Sequence, residues 1–210
     1  MRYLFVAVTV AGIAAPMVAD ANSGDLPPMW FELGATAMHY TPDKIDTNAS
    51  MYHVETAPAD HGLAAVGGRL RALVAVDDHW YFGMESDLAH FDGPTLAGTW
   101  IERGATMTTP ITTAGSIEQL KPVIGVRAPR GRYWVAGELS PGLQIAQYET
   151  TNVPNSVEPW TQAWYVLEAH AVGSVWIAPR LSLTLETSID LAHVDRMQAA
   201  LMVGGHFDQR

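Results

Sequence analysis

Apolar and polar residues alternate along residues 180–191, and this alternation limits what the chain can fold into. Leu183 and Leu185 occupy alternate positions, and Thr184 and Glu186 occupy the positions next to them. A helix would distribute the leucines around its circumference, whereas an extended strand places them all on one side. The same period of two recurs in seven other stretches, which predicts an all-β chain of eight strands. They are residues 30–40, 62–76, 79–91, 116–128, 132–149, 161–177, 180–191 and 197–207.

The predicted strands are long, and the segments between them alternate in length. Globular strands usually have ~5–6 residues, and ~9–11 suffice for a tilted strand to cross a bilayer, which these stretches reach. Long loops outside and tight turns at the periplasm are typical of bacterial outer-membrane barrels. We therefore predict an eight-stranded antiparallel up-and-down transmembrane β-barrel that presents long extracellular loops. The long polar segments are 41–61, 92–115 and 150–160, and the short connections lie at 77–78, 129–131, 178–179 and near Asp195.

The polar face of each predicted strand suits a packed interior better than a solvated surface. It consists of small residues with few charges, and charged residues make up only 16% of the chain, against ~25% in soluble domains. An eight-stranded barrel has room inside only for packed side chains, where charges of both signs pair. We therefore predict that apolar residues face lipid and that an ion-pair network fills the lumen. Its predicted members are Glu32, Arg69, Arg71, Glu85, Asp87, Lys121, Arg127, Glu138, Glu168, Glu186 and Asp190.

The N-terminus is typical of a secretory signal peptide. Arg2 precedes an apolar stretch at residues 3–15, and Ala19 and Ala21 form a small-x-small cleavage site. The apolar stretch is shorter than the ~20 residues that a spanning helix needs. We predict a signal peptide at 1–21, a periplasmic segment at 22–29 and one barrel domain at 30–207.

Aromatic residues gather at both ends of the predicted strands. Amphipathic rings favour the two membrane–water boundaries, so this placement predicts two aromatic girdles around the barrel. Beside the short turns lie Trp30, Trp80, Trp134 and Trp176, and at the opposite ends lie Tyr40, Phe91, Tyr148, Trp160 and Trp164.

With these features, the chain resembles the small outer-membrane β-barrel families typified by the transmembrane domain of outer-membrane protein A. The resemblance covers residues 30–207 and rests on the strand number, the alternating loops and the last strand, Met197 to Phe207. It implies the outer membrane of a Gram-negative bacterium as the location. The implied partners are outer-membrane lipid, lipopolysaccharide and the barrel-assembly machinery. Family members usually end on an aromatic residue that this machinery reads, whereas here Phe207 is followed by Asp208, Gln209 and Arg210.

Composition argues against several kinds of chemistry. The chain has no cysteine, so disulfides and thiolate metal ligands are absent. Its net charge of −10 disfavours nucleic-acid binding. Five histidines map to the long-loop side near acidic residues, but their spacing matches no metal-ligand motif. They are His39, His53, His61, His90 and His193. We expect no metal, no cofactor and no catalytic residue, and we expect a monomer.

These observations predict a cell-envelope protein with a structural or surface-interaction role. Three alternatives remain open. A porin-like conducting pore would use the charges of the lumen. A lipid A-modifying enzyme would need Ser86 together with His90 or His193, although Ser86 and His90 stand ~13 Å apart along one strand. A soluble periplasmic lipocalin-like barrel would bind an apolar ligand and would point Leu183 and Leu185 inward.

Overall fold

Ten β-strands make up almost all of the chain that the structure, a computed structural model, describes. The predicted signal peptide at 1–21 and nearly all of the segment 22–29 lie outside the described residues, which are 29–40, 46–49, 52–55, 63–102, 105–130, 132–150 and 160–207. The strands are β1 (Met29–Tyr40), β2 (Asp46–Ala49), β3 (Tyr52–Glu55), β4 (Leu63–Ala75), β5 (Trp80–Glu102), β6 (Ala105–Arg130), β7 (Tyr133–Thr150), β8 (Trp160–Ala178), β9 (Leu181–Asp190) and β10 (Met197–Phe207).

Eight of these strands close into an antiparallel barrel. Around the barrel the order is β5, β4, β1, β10, β9, β8, β7 and β6, and β6 returns to pair with β5. Strand β1 joins the first and last parts of the chain, since Glu32 lies opposite Arg71 of β4 on one side and opposite Gly204 of β10 on the other. The predicted eight-stranded up-and-down barrel is confirmed.

The barrel has two ends, which we call the turn end and the loop end. The turn end carries the short connections at 76–79, 131–132 and 179–180. The loop end carries the connections that follow β1, β5, β7 and β9. The first residue of β1, Met29, and the last residue of β10, Phe207, therefore both lie at the turn end.

The first short turn is held by a side chain. The carboxylate of Asp77 accepts hydrogen bonds from the backbone N–H of Trp80 at 2.6 Å and of His79 at 2.7 Å. These bonds hold the pKa of Asp77 below its ordinary value. An aspartate that pairs with the backbone two and three residues ahead satisfies donors that a tight turn leaves free.

The segment 92–115, predicted as a loop, is mostly strand, so that prediction was wrong. After an irregularity between Asp92 and Thr95, β5 and β6 continue to pair as far as Glu102 and Ala105. Threonine is abundant in this stretch, and its β-branched side chain favours extended backbone. The predicted loop 41–61 likewise contains the short pair β2 and β3, and β3 pairs with β5 beyond the barrel.

The outside of the barrel is apolar, as predicted. Leu185 at the middle of β9 is 58% exposed, whereas its neighbours Thr184 and Glu186 are fully buried. The soluble alternative, in which leucines line the interior, is therefore wrong, because the ionic side chains already fill it. Among the described residues, no helix is both long and apolar enough to traverse a bilayer.

The predicted aromatic girdles are largely wrong. Trp80 is outside and 51% exposed, but Trp30 and Trp134 are 1% and 3% exposed and face the lumen. The reason is that alternate residues of a strand point into the lumen, and Trp30 lies on the same inward face of β1 as Glu32. By the same phase Trp176, Phe91 and the half-buried Trp164 pack inside. The side chains of Tyr40, Tyr148 and Trp160 lie outside the described part of the structure.

Introducing a charged residue tests whether the outward side chains of β9 face lipid. We expect Leu185→Arg to lower the free energy of unfolding by about 2–4 kcal/mol, because arginine at mid-bilayer is poorly solvated. Val194→Arg serves as the control, since Val194 is exposed in the connection between β9 and β10, where the loss is about 0–1 kcal/mol. Urea unfolding of barrels refolded into lipid vesicles measures both, and equal losses would contradict the assignment.

Candidate functional site

The lumen is filled by three layers of side chains that follow one another from the loop end to the turn end. An ionic layer occupies the middle. The loop-side apolar layer is a cluster of Met38, Ala65, Ala89, Phe91, Ile117 and Ala146. The turn-side aromatic layer contains Trp30, Leu73, Ala75, Tyr81 and Val123. Because the two apolar layers flank the ionic one, its charges are removed from water at both ends.

Arg71 is the hub of the ionic layer. Its guanidinium contacts four carboxylates, which come from β1, β5, β7 and β9. Nη1 donates to Glu32 Oε2 at 3.1 Å and lies 2.9 Å from Glu186 Oε2. Nη2 donates to Glu138, and Nε lies 3.3 Å from Glu85 Oε2. Arginine presents five N–H donors in a planar fork, which allows a single side chain to meet partners in several directions.

Two further cations extend the layer. Arg69 binds Asp87 with two nitrogens, Nε to Oδ1 at 2.6 Å and Nη2 to Oδ2 at 3.0 Å, and also donates to Glu186. Lys121 Nζ lies 2.7 Å from Glu85 Oε1 and donates to Glu168 Oε2 at 2.8 Å. Through these contacts β4 and β6 are connected to β5, β8 and β9.

Neutral side chains that were not predicted as members complete the layer. Tyr81 donates its hydroxyl hydrogen to Glu138, and Thr184 donates to Glu32 Oε1 at 2.7 Å. Gln198 Nε2 donates to Glu168 Oε1 at 2.8 Å and to Gln119 Oε1 at 3.0 Å. Such donors satisfy lone pairs of the buried carboxylates that the cations leave open. Tyr81 and Thr184 lie on the inward face of strands that also carry predicted members, and Gln198 lies on the polar face of the predicted strand 197–207. These positions are the signal that could have found them.

His170 of β8 also belongs to the layer. Its Nδ1 lies 2.7 Å from Glu186 Oε1, and its Nε2 lies 3.7 Å from Glu168 Oε2. The imidazole side chain is fully buried. It therefore stands between two carboxylates in a place that water does not reach.

Inward-facing glycines make room for the large ionic and aromatic side chains. A Cβ atom on Gly142 would lie 2.3 Å from Lys121 Cγ, and one on Gly125 would lie 2.2 Å from the ring of Tyr81. These distances are shorter than any van der Waals contact, so a larger residue would displace Lys121 or Tyr81 from its partners.

Nine of the eleven residues predicted as the lumen network lie together in the ionic layer. They are Glu32, Arg69, Arg71, Glu85, Asp87, Lys121, Glu138, Glu168 and Glu186.

Arg127 and Asp190, the other two predicted members, lie outside the ionic layer. Arg127 is at the turn end, where its Nε donates to the carbonyl oxygen of Asp78 at 3.2 Å and its guanidinium lies 5.2 Å from the Trp30 ring centroid. Asp190 is at the loop end, where it contacts His193 Nδ1 at 3.0 Å. Both share the inward phase but stand near strand ends, one layer away from the hub. Their inclusion in the network was wrong.

The other candidate residues are scattered. Ser86 and His90 lie on β5, and His90 is 3.7 Å from exposed Asp92. His193 is held by Asp190, and β4, β1 and β10 separate β5 from β9. His53 and His61 lie outside the part of the chain whose side chains are described. Among described residues, ligand atoms of Glu85, His170 and Glu186 approach within 4.8 Å of one another. Arg69, Arg71 and Lys121 already contact those two carboxylates, which disfavours a metal cation there.

Replacement of Arg71 tests how much the ionic layer contributes to the free energy of unfolding. We expect Arg71→Met to lower the free energy of unfolding by about 3–5 kcal/mol, because it leaves buried carboxylates without their shared cation. Arg71→Lys, which retains the charge but loses the planar fork, should fall between Arg71→Met and the wild type.

The matched control for Arg71→Met is Arg180→Met, at an exposed position in the last short turn, where a change within about 0.5 kcal/mol is expected. Urea titration followed by tryptophan fluorescence measures all three variants. A loss at Arg71 no larger than that at Arg180 would show that the ionic layer contributes nothing to stability.

Comparison with known proteins identifies the fold. No protein-family model and no curated protein sequence matches the chain. Neisserial surface protein A matches with a TM-score of 0.50 at 9% identity, over 89% of this chain and 100% of its own. The outer membrane protein OprG from Pseudomonas aeruginosa matches with a TM-score of 0.51 at 11% identity, over 88% of this chain and 98% of its own. At such identities the likeness establishes the fold alone. With its apolar exterior and buried ionic interior, the chain therefore has the fold of the small eight-stranded β-barrels of the outer membrane.

Proposed function

We propose that this protein is a closed barrel with a structural or surface-interaction role, which presents its loop-end segments outside the cell. The observation that carries the proposal is the filling of the lumen by three packed layers. A barrel whose interior is occupied by its own side chains is suited to anchoring and display rather than to transport.

The packing of the layers supports a barrel that does not conduct. The cations Arg69, Arg71 and Lys121 have fully buried side chains that bind carboxylates on both sides of the lumen. At the turn end, the ring of Trp30 packs against Tyr81 and Trp134, with centroids 5.4 and 6.4 Å apart. A continuous file of water would have to displace both arrangements.

The loop end supports the display role. Strands β5 and β6 continue past the barrel as a paired hairpin, and β3 with β2 adds to the side of β5. A sheet that extends beyond the membrane is a stiffer platform than an unstructured loop. We propose lipid, lipopolysaccharide and the barrel-assembly machinery as the partners of the barrel wall, with the protein as a monomer that needs no cofactor.

No catalytic role forms part of this proposal. Within the described residues, Ser86 has no histidine partner on its own outward face within contact distance, because His90 stands four positions further along β5. His193 belongs to a connection three strands away around the barrel. A lipid-hydrolysing group would need these side chains to meet.

Electrical recording tests the closed lumen. We expect the refolded protein to insert into planar lipid bilayers without producing conductance steps, because the ionic and aromatic layers leave no water-filled path. Insertion is verified by the heat-dependent shift in gel migration of the same preparation, and a general porin recorded in parallel is the positive control. Reproducible single-channel steps from the purified protein would refute the closed barrel.

Single-cysteine labelling tests the display of the loop end. The chain contains no cysteine, so Val194→Cys and Asp78→Cys each introduce one thiol, at an exposed position of the loop end and of the turn end. We expect a membrane-impermeant maleimide to label Val194→Cys in intact cells and Asp78→Cys only after permeabilisation. The opposite pattern would mean that the loop end faces the periplasm, and the display role would be lost.

A further inference from the structure

We propose that His170 is a proton-binding site of the barrel interior, which holds the imidazole as an imidazolium bridge between Glu186 and Glu168 at neutral pH. This inference concerns the charge state of the lumen and is independent of the proposed surface role.

The geometry of the ring carries the proposal. Nδ1 faces Glu186 Oε1 at 2.7 Å, and Nε2 faces Glu168 Oε2 at 3.7 Å. Nε2 is buried and has no hydrogen-bond partner. A neutral imidazole has one donor and one acceptor, so one of its nitrogens would turn a lone pair towards a carboxylate. Only the imidazolium presents an N–H group to both carboxylates.

The surroundings of His170 have an excess of negative charge. Six buried carboxylates face three permanent cations in the ionic layer, so the layer has a formal charge of −3 with His170 neutral and −2 with His170 protonated. Uncompensated charge in a site without water is strongly unfavourable. The ring faces Glu168 on β8 and Glu186 on β9, and its cross-strand neighbours are Glu138 on β7 and Ser188 on β9. The two carboxylates are in turn contacted by Arg69 and Arg71 on β4, Lys121 on β6 and Gln198 on β10. The remaining charged groups of the layer are Glu85 and Asp87 on β5, which contact Lys121, and Glu32 on β1.

A proton fits this place better than a metal ion. The carboxylates of Glu85 and Glu186 are already in contact with Arg69 and Arg71. A divalent cation would have to displace those guanidinium groups, whereas a proton on Nε2 needs no additional space. Histidine is also the side chain that changes charge nearest to neutral pH.

Nuclear magnetic resonance of the wild-type barrel tests the charge state directly. In protein with ¹⁵N-labelled histidine at about pH 7.5, where an exposed histidine is mostly neutral, we expect both ring nitrogens of His170 to show imidazolium shifts. The exposed His90 is the internal reference. The His170 signal is assigned through its cross-strand neighbours Ser188 and Glu138. A neutral His170 ring at this pH, or a ring whose shifts move only when Zn²⁺ is added, would overturn the proposal.

The pH dependence of unfolding tests what the proton contributes. A folded barrel that keeps a proton which the unfolded chain releases loses stability as pH rises. We expect the wild-type unfolding constant to increase with pH more steeply than that of His170→Gln, by up to about tenfold per pH unit for one proton. His90→Gln is the matched control and should keep the wild-type slope. Identical slopes for wild type and His170→Gln would overturn the proposal, and if His170→Gln does not fold, the resonance measurement decides alone.

Discussion

The guanidinium of Arg71 is the interaction on which the interior depends, because carboxylates from four different strands converge on it. In an eight-stranded barrel the lumen is narrow enough for one side chain to reach across it. The desolvation of each charge is unfavourable on its own and is offset only when all its partners are present. The arrangement of Arg69, Lys121 and the neutral donors follows from that requirement.

The apolar layers and the glycines serve this same requirement. Trp30 and Tyr81 on one side and Phe91 on the other exclude water from the ionic layer. In a medium of low dielectric constant, each correct ion pair is stronger and each missing partner is more harmful. Gly142 leaves the space in which Lys121 reaches its carboxylates. The large side chains of the inner face can therefore reach their partners only because small residues stand beside them.

The period of two in the sequence predicted the barrel, its strand number and the outward leucines, because lipid and lumen impose opposite polarities on alternate residues. It did not predict how far along the barrel each inward residue lies, which depends on the register between strands. Arg127 and Asp190 were assigned to the network for that reason, and Trp30 was assigned to a girdle by its position at a strand end rather than by its phase. The hairpin within 92–115 was missed because its strands pair with each other beyond the membrane, where no alternation is required.

Contacts between distant parts of the chain have a consequence for assembly. Arg71 lies 39 residues from Glu32 and 67 from Glu138, and Arg69 lies 117 residues from Glu186. Glu32 and Arg71 face each other on the neighbouring strands β1 and β4, but Glu138 and Glu186 reach their arginines across the lumen from strands that do not pair with β4. A partly built sheet would therefore expose unpaired charges to hydrocarbon. An open intermediate inside the bilayer is therefore disfavoured. The chain is expected to gain its last strand and the ion pairs across its lumen in one cooperative event.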